Sequence, residues 1–216
     1  FDTGGEFLLH SYMMAWFYKL GVFFGFFESA THAAIWYPVI FFALTIIAFF
    51  LFVREFLRKI FPEKYAALGG LVASLFLSIV PALMPRTVAG IPEKESAAFV
   101  FLFLAFYFFI KSWEDSKNYR GLLFCVISGV ATAAMAMIWG GYIFIFLTIG
   151  GTVALIFLLE KIEKKQIVIY WTWFITGIVL LKILTTATII GFISSITTFI
   201  PLTVGALISV HFLIFE

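Results

Sequence analysis

Long apolar runs separated by short charged segments constrain this chain more than any other feature. Runs that are long enough, or nearly long enough, to cross a bilayer lie at 35–53, 66–84, 97–110, 121–138, 141–159 and 167–184. Of the 216 residues, 63% are hydrophobic and 12% are charged, which is more apolar surface than a soluble domain of this size can bury. Backbone groups in lipid must be hydrogen-bonded within their own segment, and the ten-residue alternation of a membrane barrel is missing. The sequence therefore predicts an all-α integral membrane protein, a polytopic helical bundle.

Three apolar segments allow more than one interpretation. Segment 97–110 is short for a span unless its helix begins inside the polar stretch before it. Segment 7–27 is interrupted by a lysine, so it is either a span or a helical hairpin lying partly in the outer leaflet. Segment 186–215 is one long span or a broken pair, because it contains Gly191, Pro201 and Gly205. We expect a peripheral or re-entrant element within 1–34 and about six to eight transmembrane helices within 35–216, all part of a longer protein.

Lysine and arginine are distributed unequally between alternate loops. Three alternate segments hold ten of them: Arg54, Arg58, Lys59, Lys64, Lys111, Lys117, Arg120, Lys161, Lys164 and Lys165. The loops between those segments hold only Arg86 and Lys94. Because basic loops stay on the cytoplasmic side, the three basic segments are predicted to be cytoplasmic and the loop at 85–96 extracytoplasmic.

Composition also argues against two other functions. A net charge of +2, with lysines scattered between apolar runs, does not indicate nucleic-acid binding. The single cysteine, Cys125, lies inside an apolar run and has no partner in this sequence for a disulfide or a paired-cysteine metal site.

The polar stretch 85–96 carries the strongest chemical signal. Glu93 and Glu95 lie two residues apart and follow Arg86. Two carboxylates on an extended loop can converge on one hard cation such as Mg²⁺ or Mn²⁺, or can accept hydrogen bonds from an amide. Arginine offers a planar set of donors that suits phosphate. The structural alternative is a solvated loop in which Arg86 and Lys94 pair with the two glutamates.

A second motif, Trp139-Gly140-Gly141-Tyr142, joins two apolar runs almost without a loop. The glycines are expected to allow a tight reversal with positive φ. The two aromatic residues suit an interfacial belt, or a platform beside an active site for a lipid-linked sugar.

These motifs together resemble a known family. Arg86-Thr87-Val88-Ala89-Gly90, followed after two residues by Glu93-Lys94-Glu95, resembles the second external loop of oligosaccharyltransferase catalytic subunits. The stretch 139–142 resembles that family's tryptophan-glycine-glycine-tyrosine motif, two helices later. The opening residues 4–10 resemble the end of the family's first external loop, which would make part of 7–27 peripheral. The resemblance covers about 5–160 and is closest to the archaeal single-subunit enzymes.

The resemblance implies the membrane fold of a type C glycosyltransferase. Such an enzyme transfers an oligosaccharide from a dolichyl or other polyprenyl phosphate or pyrophosphate to asparagine in Asn-x-Ser/Thr sequons. Its implied partners are the lipid-linked oligosaccharide, an acceptor polypeptide and membrane lipid. Glu93 and Glu95 would be the acidic pair that binds Mn²⁺ or Mg²⁺, with Arg86 also in the catalytic loop. Trp139 and Tyr142 would bind substrate.

The sequence departs from the family in several places. Glu93 stands where the family usually has aspartate. Asp2 and Glu216 do not match the family's remaining acidic residues, and its sequon-reading soluble domain is not recognisable, so these 216 residues are expected to be inactive alone. Two alternatives stay open: another polyprenyl-phosphate-sugar glycosyltransferase, or a membrane transporter, which would place charged residues near the bilayer midplane.

Overall fold

The computed structural model describes residues 9–185 and 195–215, and this part of the chain is helical. It forms eight α-helices: α1 (Leu9–Phe23), α2 (Ala30–Leu57), α3 (Glu63–Ser78), α4 (Lys94–Glu114), α5 (Tyr119–Ala136), α6 (Ile143–Leu158), α7 (Lys164–Leu184) and α8 (Ile196–Phe215). Two 3-10 helices, Met84–Arg86 and Gly140–Tyr142, lie between them. Each predicted apolar run up to 184 contains an α-helix, but the run at 66–84 is α-helical only to Ser78.

Six of the described helices are long and apolar enough to cross a membrane, namely α2, α4, α5, α6 with the 3-10 turn before it, α7 and α8. The predicted all-α polytopic membrane fold is therefore confirmed. Helix α4 starts at Lys94, so the short run at 97–110 reaches spanning length by beginning inside the polar stretch. Helix α8 continues through Pro201 and Gly205, whereas Gly191 lies outside the described residues.

The chain divides into two compact units. The first contains 1–107 and 134–139, and the second contains 108–133 and 140–216. Helices α4 and α5 each contribute to both units.

In the first unit, α2 and α3 form a tightly packed pair. Small buried residues recur at every fourth position of α3: Ala66, Gly70 and Ser74. A Cβ atom at Gly70 would lie 3.1 Å from the Phe50 ring and 3.3 Å from its carbonyl, so the absence of a side chain allows this close approach. At the turn, the Arg54 guanidinium pairs with the Glu63 carboxylate.

Helices α2 and α4 run in the same direction. The Thr45 hydroxyl donates to the carbonyl of Ser96 (3.3 Å), and farther along both helices Phe49 packs on Phe103, with 4.7 Å between ring centroids. Two parallel neighbours require the chain to return between them, and α3 with the segment after it makes that return. The C-terminal ends of α2 and α4, which lead into basic segments, therefore point the same way.

Helix α1 packs against the N-terminal half of α2. The Phe17 ring meets the Tyr37 ring edge-on at 5.5 Å, and the chain turns back at Gly25, whose φ is 74°. A helix of 15 residues is about 22 Å long, which is short for a hydrocarbon core of about 30 Å. In the described part of segment 7–27, the chain forms one short helix and then the turn at Gly25.

In the second unit, polar side chains join the buried faces of the helices. The Trp173 indole is fully buried and donates to the Thr132 hydroxyl (2.9 Å). The Tyr170 hydroxyl donates to the Pro201 carbonyl (2.7 Å), and a Cβ atom at Gly150 would lie 3.3 Å from the Pro201 ring.

Candidate functional site

The acidic end of the polar stretch 85–96 lies partly in a loop that is hydrogen-bonded to α2 and partly in the first turn of α4. Gly90 has a φ of 87°, a conformation that favours glycine, and its N–H donates to the Ile35 carbonyl (3.3 Å). Residues 91–93 are without regular structure, and α4 begins at Lys94. The expected extended loop therefore ends at Glu93, while Glu95 lies in the first turn of α4. Carboxylates are stabilised there, because the helix dipole is positive at its N-terminus.

Arg86 brings the two carboxylates together. Its Nη1 atom lies 3.4 Å from Glu95 Oε1 and 3.7 Å from Glu93 Oε2. The Glu95 side chain is 14% exposed, compared with 39% for Glu93 and 51% for Arg86. The ion pairing of Arg86 with both glutamates, which the alternative of a solvated loop predicts, is thus present. The same geometry also makes both carboxylates converge on one point.

Backbone hydrogen bonds fix the position of Glu93. Its carbonyl accepts the Ser96 hydroxyl (2.8 Å), and its N–H donates to the Ile91 carbonyl (2.8 Å). On the other side of the site, Arg86 ends the 3-10 helix Met84–Arg86, and the Thr87 N–H donates to the Met84 carbonyl (3.2 Å). Arg86 and the glutamates therefore project from separately ordered backbone segments.

A cavity of about 330 Å³ adjoins the ion pair. Arg86 and Glu95 supply its charged lining, and Trp139 lies in its wall. The apolar remainder comes from Leu77, Val80, Ala82, Leu83 and Phe99. Trp139 is held by packing against Phe99, with 5.5 Å between ring centroids. The structure thus brings three predicted site residues from separate parts of the sequence to one apolar cavity.

The predicted platform at 139–142 is divided between the two units. Trp139 belongs to the first, whereas Tyr142 belongs to the second, where its ring meets Phe146 edge-on at 6.1 Å. The prediction of positive φ at Gly140 and Gly141 is wrong: the described glycines with positive φ are Gly25 and Gly90. Residues Gly140–Tyr142 instead form a 3-10 turn directly before α6, which makes a short connection without left-handed backbone.

His10 is a member of this site that sequence reasoning missed. Its Nε2 lies 3.0 Å from the carbonyl of Pro92, and its Nδ1 lies 3.4 Å from the Tyr37 hydroxyl. Burial lowers the pKa of His10, which favours the neutral ring, although its bond to Pro92 acts in the opposite direction. His10 and Pro92 lie 82 positions apart in the sequence, and no pattern in the sequence links them.

The family profile "Oligosaccharyl transferase STT3, N-terminal" matches residues 8–215. The chain belongs to this family. The family membership predicted from 85–96 and 139–142 is thereby confirmed.

Curated STT3 relatives match about half of the chain. The "Dolichyl-diphosphooligosaccharide--protein glycosyltransferase subunit STT3" of Dictyostelium discoideum is 33% identical over 111 residues, covering 51% of this chain and 15% of that protein. The subunit of the same name from Saccharomyces cerevisiae is 32% identical over 113 residues, covering 52% and 15%. STT3B of Arabidopsis thaliana is 30% identical over 112 residues, with the same coverage. The matched half of the chain therefore covers about 15% of the length of these relatives.

The chemistry of Glu93 and Glu95 fits part of a cation site. Both Glu93 and Glu95 offer the oxygen ligands that Mg²⁺ and Mn²⁺ prefer, and they already converge on one cationic group, Arg86. Within 9–185 and 195–215, no group of three or more acidic, histidine or cysteine side chains is arranged to hold a metal. The described residues thus supply two carboxylates to such a site, and further ligands would have to come from other groups.

Proposed function

We propose that the protein containing this chain is a protein N-glycosylating enzyme. It transfers an oligosaccharide from a polyprenyl (dolichyl) phosphate or pyrophosphate carrier to asparagine in Asn-x-Ser/Thr sequons. One observation carries the proposal: in a chain of the STT3 family, Glu93, Glu95 and Arg86 converge beside an apolar cavity. The relatives' names, which describe dolichyl-diphosphooligosaccharide–protein glycosyltransferase subunits, support the same reaction.

The reaction forms a bond between the asparagine amide nitrogen and the anomeric carbon of the sugar. The bond from that carbon to the carrier's phosphate oxygen breaks, and the nitrogen loses a proton. Negative charge therefore develops on the departing phosphate while the amide must be held in line with the sugar. Orientation and electrostatic stabilisation are the two contributions that fixed side chains can make to this step.

The chain's residues suit these two tasks. Glu93 and Glu95 accept hydrogen bonds from the acceptor amide or hold a divalent cation, whose charge, when it is bound, would stabilise the departing phosphate. The Arg86 guanidinium, which is half-exposed, would bind phosphate oxygens. Trp139 forms part of the apolar wall beside them.

The orientation in the membrane follows from charge. Basic residues follow both α2 and α4, and these two helices run in the same direction. We assign those ends to the cytoplasm, because basic loops are retained on that side. The stretch 85–96 then faces the opposite side, where a translocated polypeptide and an outward-facing carrier would meet it.

The decisive test uses the whole gene product that contains these residues, purified in detergent. Transfer from a lipid-linked oligosaccharide to a fluorescent Asn-x-Thr peptide is measured with and without Mn²⁺. The double variant Glu93→Gln with Glu95→Gln keeps side-chain size but removes both negative charges. Loss of one pre-organised electrostatic group costs about 100-fold or more in rate, so the double variant should lose at least that factor.

Glu63→Gln is the matched control, because Glu63 pairs with Arg54 at the other end of α2. Its transfer rate should equal that of the wild type. Undiminished transfer in the double variant would remove the acidic pair from the mechanism. If a correctly folded wild type given a suitable donor transfers nothing, the proposed reaction fails, and other polyprenyl-phosphate-sugar glycosyltransferase activities should be assayed next.

A further inference from the structure

His10 connects three parts of the first unit at one buried point. The ring belongs to α1, its Nε2 contacts the Pro92 carbonyl at 3.0 Å, and its Nδ1 contacts the Tyr37 hydroxyl of α2 at 3.4 Å. The residue is 8% exposed. Its ring also meets the Tyr37 ring edge-on, with centroids 5.4 Å apart.

These contacts fit the neutral imidazole that carries its proton on Nε2. A carbonyl oxygen can only accept, so Nε2 must carry the proton that it donates to Pro92. In the neutral ring Nδ1 is then an acceptor, and the Tyr37 hydroxyl donates to it. Both hydrogen bonds are satisfied by the neutral Nε2–H tautomer, so Tyr37 keeps the donor directed at Pro92.

The bond to Pro92 acts on Glu93 through the peptide plane. Proline has no N–H, so its carbonyl is the backbone group through which Pro92 can be held. That carbonyl and the Glu93 N–H belong to one planar peptide unit. The Glu93 N–H also donates to the Ile91 carbonyl (2.8 Å), and the Glu93 carboxylate lies 3.7 Å from Arg86. Fixing the carbonyl therefore fixes the point from which the Glu93 side chain projects.

We propose that His10 is a positioning residue for the acidic pair: its Nε2–H holds the Pro92 carbonyl, and with it the backbone that carries Glu93, against α1 and α2. The proposal deepens the proposed function, because it concerns the same carboxylates. It differs from a packing role for the ring, since a ring without a donor would fill the same space and leave the Pro92 carbonyl unbound.

Two substitutions separate the hydrogen bond from the packing. His10→Phe keeps an aromatic ring and removes both polar contacts, whereas His10→Gln loses the ring and retains a donor at a similar reach. Hydrogen exchange measured by mass spectrometry on the whole gene product reports backbone order whether or not transfer is observed. Exchange in 87–96 should accelerate about tenfold or more in His10→Phe, as loss of one buried hydrogen bond implies, and should stay within about threefold of wild type in His10→Gln.

Enzymatic and binding measurements follow on the same samples. Replacing a group that orients a ligand costs about 10- to 100-fold in metal affinity or activity. We expect such a loss in Mn²⁺ affinity and in kcat for His10→Phe, and partial rescue of both in His10→Gln. The KM for the acceptor peptide should stay within about threefold of wild type in both variants, which is the range we take as unchanged acceptor binding. His211→Phe is the matched control, because His211 belongs to the second unit and packs there against Phe157.

The outcomes distinguish the two proposals. If wild type transfers nothing but 87–96 loosens in His10→Phe and recovers in His10→Gln, the proposed reaction fails and the positioning role stands. If exchange in 87–96 is unchanged in His10→Phe, the positioning role is refuted even if transfer is intact. Loosening confined to 9–23 in His10→Phe would also refute it, since it would show that the histidine only anchors α1.

Discussion

The charge of Arg86 should oppose cation binding by the carboxylates that it brings together. Its Nη1 lies 3.4 Å from Glu95 and 3.7 Å from Glu93, so any divalent cation held by both carboxylates would be close to the guanidinium. The substitution Arg86→Gln removes that positive charge and keeps a planar side chain of hydrogen-bond donors. We therefore predict that Arg86→Gln binds Mn²⁺ more tightly than wild type, although it transfers sugar more slowly.

The expected size follows from Coulomb's law. A single and a double positive charge about 5 Å apart repel by about 1.7 kcal/mol at the dielectric constant of water. Since about 1.4 kcal/mol corresponds to a tenfold change in affinity, the variant should bind Mn²⁺ about tenfold more tightly at low salt. The half-exposed position of Arg86 makes the water value appropriate, and screening should reduce the gain at high salt.

Manganese affinity is measured by electron paramagnetic resonance of free Mn²⁺, and transfer is assayed in parallel. Arg86→Lys is the matched control: it keeps the charge, so its Mn²⁺ affinity should stay near that of wild type, while its planar donors are lost. Weaker Mn²⁺ binding in Arg86→Gln, with 87–96 still ordered by hydrogen exchange, would refute the reasoning. It would mean that Arg86 chiefly holds the carboxylates in place and does not compete for them.

Three further predictions concern the cavity, the packing of α3 and pH. Trp139→Ala should raise the KM for the lipid-linked donor about fivefold, because an aromatic contact worth about 1 kcal/mol is lost, whereas Trp139→Phe should remain near wild type in steady-state assays. Gly70→Leu should destabilise the protein by about 1–3 kcal/mol in thermal unfolding, because the new side chain would meet Phe50. Gly151→Leu is the control, because the space around a Cβ atom at Gly151 is open, and an equal loss of stability in both variants would contradict this reasoning. Burial lowers the pKa of His10 from its ordinary value of 6.5, so the folded state binds protons less readily than the unfolded state. Stability measured by thermal unfolding should therefore fall as pH drops from 6.5 through the lowered pKa, and an equally steep profile in His10→Gln would contradict this assignment.

The helices could be predicted from hydrophobicity because lipid imposes one rule on every segment that crosses it. An apolar run in a bilayer must satisfy its backbone internally, so 35–53 and 167–184 had to be helical. The ends were less predictable, because capping and charge decide them locally. Helix α4 begins at Lys94, earlier than its apolar run, since Pro92 precedes it and Glu95 is stabilised in its first turn.

The site was only partly accessible from sequence. Arg86, Glu93 and Glu95 are close enough along the chain for their spacing to suggest a cluster, and their pairing is a local consequence of one short turn. The contribution of Trp139 to the same cavity and the contact of His10 with Pro92 depend on how distant helices pack. Neither hydrophobic periodicity nor a sequence motif predicts such contacts. The φ of Gly140 and Gly141 was mispredicted for a related reason: a 3-10 turn closes the same short gap with ordinary backbone.

The length of α2 relates the fold to the site's electrostatics. This helix has 28 residues, about eight more than a bilayer core requires. Ser96, near the start of α4, is level with Thr45, which lies about 22 Å from the first residue of α2 at the rise of an α-helix. The N-terminal half of α2, with α1 packed on it, therefore extends past the start of α4 and flanks the polar stretch 85–96. The Gly90 N–H of that stretch donates to the Ile35 carbonyl of α2. The Glu95 carboxylate is 14% exposed, compared with 39% for Glu93, so it is the less hydrated of the two and interacts more strongly with any cation, whether Arg86 or a metal.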